Sequence, residues 1–330
     1  MTSTAPTPAA LRRYTLFVAA STLFLIFAGA MVTSTGSGLA VPDWPLSYGM
    51  IMPPMVGGIF YEHGHRMIAA TVGFLTVLQA IFLQVWEPKR FIRRLGWAAV
   101  GAVIAQGVLG GLTVIFLLPK AISISHAGLA EIFFCLNVSI AFFTRRPRAG
   151  ASVGQRGGGL QPVPGPAEAG PHVSVILSRE DGEGSVPLLA PRLLVALVYT
   201  QILIGALMRH LGAGLAIPDF PLSFGKVVPA FTSLAIAVNY AHRVGAAVVA
   251  CAILYVAAKV PRYRWMLVGV VLMQLTLGAF TVWSGKHPIL TSFHVAGGAL
   301  TLAVSLITAL GTRATAKAPA LRLLPTEATA

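Results

Sequence analysis

The chain has 330 residues, of which 56% are hydrophobic and only 10% are charged, and its formal net charge is +14. Soluble domains usually carry about 25% charged residues, so the composition excludes an ordinary soluble protein and indicates an integral membrane protein. Nucleic acid is not an expected partner, because the basic residues are distributed over alternate loops between apolar runs. Eight runs are long enough to cross a bilayer, at residues 14–34, 65–86, 95–117, 122–143, 192–210, 240–259, 265–284 and 290–311.

Basic residues cluster in every second loop, notably at 89–94, 145–148 and 259–264. Cytoplasmic loops of membrane proteins carry such an excess of Lys and Arg. The pattern therefore predicts a multi-pass protein of the cell (inner, cytoplasmic) membrane with both termini in the cytoplasm. Residues 35–61 and 211–238 are then the two long outer loops.

An internal repeat relates the two parts of the chain. Residues 36–49 align without a gap with residues 212–225, with nearly every Gly, Pro and Asp matched. Because each repeat contains four predicted helices, both enter the membrane in the same direction, as parallel repeats do. We predict an all-α membrane protein whose eight helices form two pseudo-symmetric four-helix bundles.

Domain boundaries follow from the repeat. Residues 1–146 form the predicted N-terminal half, and residues 191–330 form the C-terminal half with a short cytoplasmic tail. Residues 147–190 are rich in Gly, Pro and Ser and show no apolar periodicity, so they are predicted to be a flexible cytoplasmic linker.

Four histidines lie at the outer ends of the even-numbered predicted helices: His65, His126, His242 and His294. Ionisable residues in membrane helices are costly and usually functional. Two imidazoles facing each other across a four-helix bundle are typical of axial haem ligands. A hydrogen-bonded packing role is the alternative for one histidine, but it does not predict the same pair in both halves. A zinc site would need a third or fourth ligand, which the second half lacks.

Two arginines follow the first histidine of each pair. Arg66 and Arg243 could bind haem propionates, although arginines at helix ends more often reach lipid headgroups. His63 competes with His65 as a ligand, but the repeat aligns His63 with Tyr240 and His65 with His242. We therefore expect His63 at the membrane interface.

The halves differ at one acidic position, because Glu62 aligns with Asn239. Residues three apart share a helix face, so Glu62 is predicted to face the same pocket as His65 and to take part in proton transfer. The alternative is a surface carboxylate paired with Arg66 or Lys120. The asymmetry predicts a working site in the first half and a stable cofactor in the second.

These motifs resemble the haem A synthase family. The resemblance rests on Glu62-x-x-His65-Arg66, the loop 36–46, the segment 106–113 and the paired His126 and His294. It implies an enzyme that oxidises the C8 methyl of haem O to a formyl group, giving haem A for terminal oxidases. By resemblance, the oxygen comes from water through successive hydroxylation and dehydration.

Residue roles and partners are also implied by this resemblance. His242 and His294 would hold a resident haem b, and His65 and His126 would flank the substrate haem beside an essential Glu62. The expected partners are haem O synthase (protohaem farnesyltransferase), an electron acceptor, the lipid bilayer and, as one option, a second copy of the chain.

The chain departs from many bacterial family members in the first outer loop. Their cysteine pair is replaced by Val41 and Ser47, and the second loop has Ile217 and Ser223. A mechanism that needs a loop disulfide is therefore not expected here. The main alternative function is a two-haem electron-transfer cytochrome. A transporter reading finds no support in broken helices or charges near the middle of the membrane.

Overall fold

A computed structural model of the protein describes residues 7–145 and 189–316. In these residues the chain forms α-helices and short 3-10 turns and contains no β-strand. Eight helices are long and apolar enough to cross a membrane, which confirms the predicted all-α membrane fold. They are α1 (Ala9–Ser34), α2 (Gly57–Trp86), α3 (Arg90–Ile115), α4 (Lys120–Arg145), α5 (Leu189–His210), α6 (Leu234–Lys259), α7 (Arg264–Trp283) and α8 (Pro288–Ala316).

The helices pack as two groups of four. Helices α1 to α4 contact one another in a closed ring, and α5 to α8 form a second ring. Helices α1 and α4 pack against α5 and α8, so the same four helices form the boundary between the groups. Each group has its own apolar core, and a smaller cluster of Phe134, Val138, Ala299 and Ala303 fills the boundary.

The largest difference from the predicted spans concerns the start of α2. The apolar run predicted a start at residue 65, whereas the helix begins at Gly57. Polar side chains such as Glu62 and His65 interrupt the apolar run of the sequence. They do not break the helix, because the backbone hydrogen bonds at these positions are kept. As a result, Glu62 and His65 lie inside α2 rather than at its first residue.

The predicted linker at 147–190 falls outside the described residues, except that α5 already begins at Leu189. Of the predicted C-terminal tail, residues 317–330 also lie outside the described part of the chain.

Candidate functional site

Each of the four predicted histidines lies against a glycine of the preceding helix. A Cβ atom placed on that glycine would approach the imidazole Cε1 to within 3.0 Å for Gly29 and His65, 3.3 Å for Gly110 and His126, 2.9 Å for Gly205 and His242, and 3.2 Å for Gly278 and His294. Contacts this short are rare for real Cβ atoms, so a side chain in place of hydrogen would displace the ring. The four glycines therefore fix the position of the four imidazoles.

The second pair of histidines has measurable ring geometry. The His242 and His294 ring centroids are 6.5 Å apart, and the ring planes are inclined at 85°. Metal–nitrogen bonds of about 2.0–2.1 Å on opposite sides of one ion would place two imidazole centroids roughly 6 to 6.5 Å apart. In the described part of the chain, no three His, Cys, Asp or Glu side chains cluster as metal ligands. The spacing therefore fits two axial ligands of one iron.

The ring nitrogens of these histidines are also arranged for ligation. The Nδ1 atoms of His65, His126 and His294 are fully buried. The backbone of Gln106 faces the His126 ring as a hydrogen-bond partner, and the backbone of Gln274 faces the His294 ring in the same way. In these three histidines Nε2 is therefore the nitrogen available to a ligand.

His242 has a polar partner behind its ring. The Gln201 side-chain amide lies 3.0 Å from His242 Nδ1 and donates to the His242 backbone carbonyl at 2.7 Å. A partner at the other ring nitrogen orients metal-binding histidines and fixes their tautomer. Gln201 therefore orients this imidazole, and ligation through Nε2 requires the amide to turn its oxygen, rather than its nitrogen, toward Nδ1.

The glycine contacts predict a specific loss of cofactor. Gly205→Ala would bring a methyl group to 2.9 Å from His242 Cε1, so the ring must move. We expect haem retention to weaken roughly fivefold or more, because overpacking typically costs about 1–3 kcal/mol. The haem-to-protein ratio after purification measures this. The control is Gly269→Ala in α7, where a Cβ meets nothing within 4 Å; equal haem content in both variants would contradict the prediction.

Glu62 is buried and ion-paired. Glu62 is only 4% exposed, and its Oε1 accepts a hydrogen bond from Arg66 Nη2 at 2.6 Å. The backbone N–H of Val41 donates to Glu62 Oε2 at 2.8 Å. Of the alternatives raised by the sequence, pairing with Arg66 is observed, but at a buried site rather than on the surface. The carboxylate thereby connects α2 to the first outer loop.

Arg66 and Arg243 hold the outer loops. Arg66 Nη1 donates to the backbone carbonyls of Asp43 at 2.7 Å and Leu46 at 3.0 Å. Arg243 Nη1 donates to the carbonyls at positions 219 and 222, at 2.7 and 2.9 Å. Backbone carbonyls of the two outer loops are thus partners of both guanidinium groups, in addition to the side chains of Glu62 and Asn239. Contact of either arginine with a haem propionate stays a prediction.

Asn239 replaces the carboxylate in the second half without loss of the loop contacts. Its Oδ1 accepts from Arg243 Nε at 3.0 Å, and its Nδ2 donates to the backbone carbonyl of Ala213 at 2.8 Å. A neutral amide therefore suffices to connect helix, arginine and loop. The negative charge of Glu62 is not required for this structural role.

Asp43 and Asp219 close the tips of the two loops. The backbone N–H groups of Gly49 and Tyr48 donate to Asp43 at 2.8 and 2.6 Å, and those of residues 225 and 224 donate to Asp219 at 2.8 and 2.7 Å. These bonds favour the ionised form, with the glycine N–H as the largest cause, and hold the pKa of both carboxyl groups below its usual range. Both aspartates therefore cap the tips of their loops.

These depressed pKa values predict acid-sensitive loops. A carboxyl group with a lower pKa in the folded protein stabilises it above its unfolded pKa of about 3.9 and loses this effect as pH falls through the folded value. Asp43→Asn should increase proteolysis of the first loop at neutral pH. An asparagine side chain has only one acceptor oxygen, so it cannot accept the two backbone hydrogen bonds that the two carboxylate oxygens accept. The difference from wild type should shrink as pH falls below about 3.9 and vanish below the depressed folded pKa. Proteolysis rates that respond to pH identically in both proteins would contradict this prediction.

Comparison with known proteins identifies the family. Residues 12–58 and 56–306 match the COX15-CtaA family, described as cytochrome oxidase assembly protein. The chain is 30% identical over 244 residues to the heme A synthase of Symbiobacterium thermophilum, covering 72% of this chain and 71% of that protein. It is 26% identical over 291 residues to the heme A synthase of Halalkalibacterium halodurans, covering 82% and 87%. This protein belongs to the haem A synthase (COX15-CtaA) family.

Position 47, where many bacterial members of the haem A synthase family have cysteine, carries a different contact. Ser47 is buried, and its Oγ lies 2.8 Å from His63 Nδ1. His63 is buried, at 6% exposure, and bonded to the first outer loop. Its predicted depth at the membrane interface stays a prediction. Sequence alignment could not find this pairing, since the second half has Tyr240 in place of His63.

Two charged residues of this family member were missed by the sequence reasoning. Glu131 is 3% exposed, lies in the middle of α4, and has an Oε2 without a hydrogen-bond partner in the described residues. An ionisable residue therefore does lie near the middle of a candidate membrane span. Arg209 lies at the outer end of α5 and reaches α1. The signal for both was a charged residue inside an apolar run, which the search for repeated residues passed over.

Proposed function

We propose that this protein is a haem A synthase that oxidises the C8 methyl of haem O to a formyl group. The observation that carries the proposal is the set of four glycine-backed histidines, with a 6.5 Å ring separation in the second pair. The names of the relatives support the same activity. Conversion of a methyl to a formyl group with oxygen from water releases electrons and protons, so the reaction also needs an electron acceptor.

The two histidine pairs take different roles in this proposal. His242 and His294 hold a resident haem b in the C-terminal half, where it supplies a redox centre. His65 and His126 flank haem O in the N-terminal half. The division follows the predicted halves 1–146 and 191–330 and rests on one asymmetry, the presence of Glu62 beside the first pair only.

Glu62 acts on the water that becomes the formyl oxygen. Its carboxyl group is held in place by Arg66 Nη2 at 2.6 Å and the Val41 N–H at 2.8 Å. Because Asn239 performs the loop contacts in the second half without a charge, structural need does not explain the carboxylate. The oxidation of haem O requires a base at this position, whereas the binding of haem b does not.

The proposed orientation places the haem sites near the outer face of the cell membrane. It predicts that Ile51→Cys, which is 86% exposed in the first outer loop, reacts with a membrane-impermeant maleimide in intact cells. Arg262→Cys, between α6 and α7, should react only after cell lysis. Both variants need Cys135 and Cys251 replaced by serine. Reaction of Arg262→Cys in intact cells would reverse the proposed orientation.

A further inference from the structure

Arg209 has no counterpart in the first half of the chain. It is the penultimate residue of α5, and the repeat aligns it with Thr33 of α1. Its Nη2 donates to the Ala30 backbone carbonyl at 2.6 Å and to Ser34 Oγ at 2.7 Å. Its guanidinium group therefore crosses from the second group of helices to the first.

The charge of Arg209 is not neutralised by the described residues. Among residues 7–145 and 189–316, the single ion pair is that between Arg66 and Glu62. The Nε and Nη1 atoms of Arg209 make no hydrogen bond to any of these residues. The two acceptors of Arg209, a carbonyl and a hydroxyl, carry no negative charge. The full positive charge of Arg209 therefore remains in a partly buried position, which is costly in a membrane helix without an anion.

Arg209 lies between the two histidine pairs. Its acceptor Ala30 follows Gly29, which backs His65. One helical turn before Arg209, on the same face of α5, Gly205 backs His242. The neighbouring residue His210 is close enough to His126 for an electrostatic interaction. The guanidinium group of Arg209 therefore lies within about one helical turn of the glycines that back His65 and His242.

We propose that Arg209 binds a propionate carboxylate of a haem held by one of the two histidine pairs. This inference rests on the proposed function. A haem combines an iron for the imidazoles with two anionic carboxylates at one edge, and guanidinium groups bind carboxylates through charge-assisted hydrogen bonds. Arg66 and Arg243 already donate to loop carbonyls, whereas Arg209 has free donors on Nε and Nη1.

A purely structural role is the competing explanation. A cation near the C-terminal end of α1 interacts favourably with the helix dipole and would bind Ala30 and Ser34 without any ligand. The two explanations differ in one respect: only the ligand role depends on the charge of the haem carboxylates.

The test compares ferric protoporphyrin IX with its dimethyl ester, in which both carboxylates are neutral. Each is titrated into the purified full-length protein and its variants in lipid nanodiscs, and binding is followed by the low-spin absorption spectrum. Wild type should prefer the free acid. Arg209→Gln should weaken free-acid binding on the order of 10- to 100-fold and leave ester binding unchanged. Arg209→Lys should retain part of the preference, and Ser34→Ala should retain it fully.

Repeating the titration with His126→Ala and with His294→Ala assigns the carboxylate to the first or the second pocket. Loss of acid-over-ester preference in either pocket supports the proposal. Equal weakening of both ligands by Arg209→Gln, or no change in either, would overturn it. Failure of this inference is distinct from failure of the proposed function: in the first case wild type and Arg209→Gln bind the free acid equally well, and in the second the wild-type protein binds no haem with low-spin character.

Discussion

Glu62→Gln is expected to abolish nearly all haem A production while haem b content stays close to wild type. The substitution keeps the size of the side chain and an oxygen that can accept from the Val41 N–H, but it removes the capacity to take a proton. General acid–base groups typically contribute about 10²–10⁴-fold in rate. Haem O or a partly oxidised intermediate should accumulate instead, as measured by chromatography of extracted pigments.

The control for this experiment is Glu87→Gln. Glu87 is equally buried, at 2% exposure, and its carboxylate accepts from Thr7 at the opposite end of α2. If burial of a glutamate alone were important, both variants would lose activity. A wild-type yield of haem A from Glu62→Gln would show that Glu62 only holds the loop, as Asn239 does in the second half.

His294→Ala is expected to remove most of the resident haem b. Loss of a partner that merely orients a ligand typically costs about 10–100-fold in metal affinity, so loss of the ligand itself should cost at least as much. The low-spin absorption bands should disappear from the purified protein, and its thermal stability should fall because the haem also fills space between α6 and α8. Haem content is measured against protein concentration in the same sample.

His287→Ala is the matched control, because His287 is an exposed histidine at the start of the same helix region. It should retain haem b and normal stability. A normal low-spin haem b spectrum in His294→Ala would show that His294 is not an axial ligand and that the 6.5 Å pairing with His242 has another purpose.

The helices and the histidine pairs were predictable because their signals are local. Apolar runs define the eight spans, and the alignment of His65-Arg66 with His242-Arg243 separates His65 from His63. The starts of the helices were less predictable. In α2, for example, Glu62 and His65 interrupt the apolar run of the sequence without interrupting the helix.

The contacts that build the site depend on packing between helices and could not be read from spacing. Gly29 and His65 are far apart in sequence, and their contact follows from the packing of α1 against α2. The same holds for the bonds from Arg66 to the backbone carbonyls of the first outer loop, because backbone acceptors leave no mark on the sequence. His63 pairs with Ser47, but the second repeat has Tyr240 in place of His63. A comparison of the two repeats therefore could not reveal this pair.

Arg209 and Glu131 show a different limit. A search for repeated residues favours what the halves share, so a charged residue present in one half only receives no support from it. In a membrane helix such a residue is informative by itself, because an unpaired charge there is costly. Arg209 became interpretable only when its partners in α1 were known.

The most direct test of the proposed activity is pigment analysis after co-expression with a haem O synthase, in a host that makes no haem A of its own. We predict that membranes containing both proteins accumulate haem A, and that the purified protein carries haem b together with haem O or haem A. Unconverted haem O in membranes where this protein retains its haem b would contradict the account. That result would favour a two-haem electron-transfer cytochrome instead.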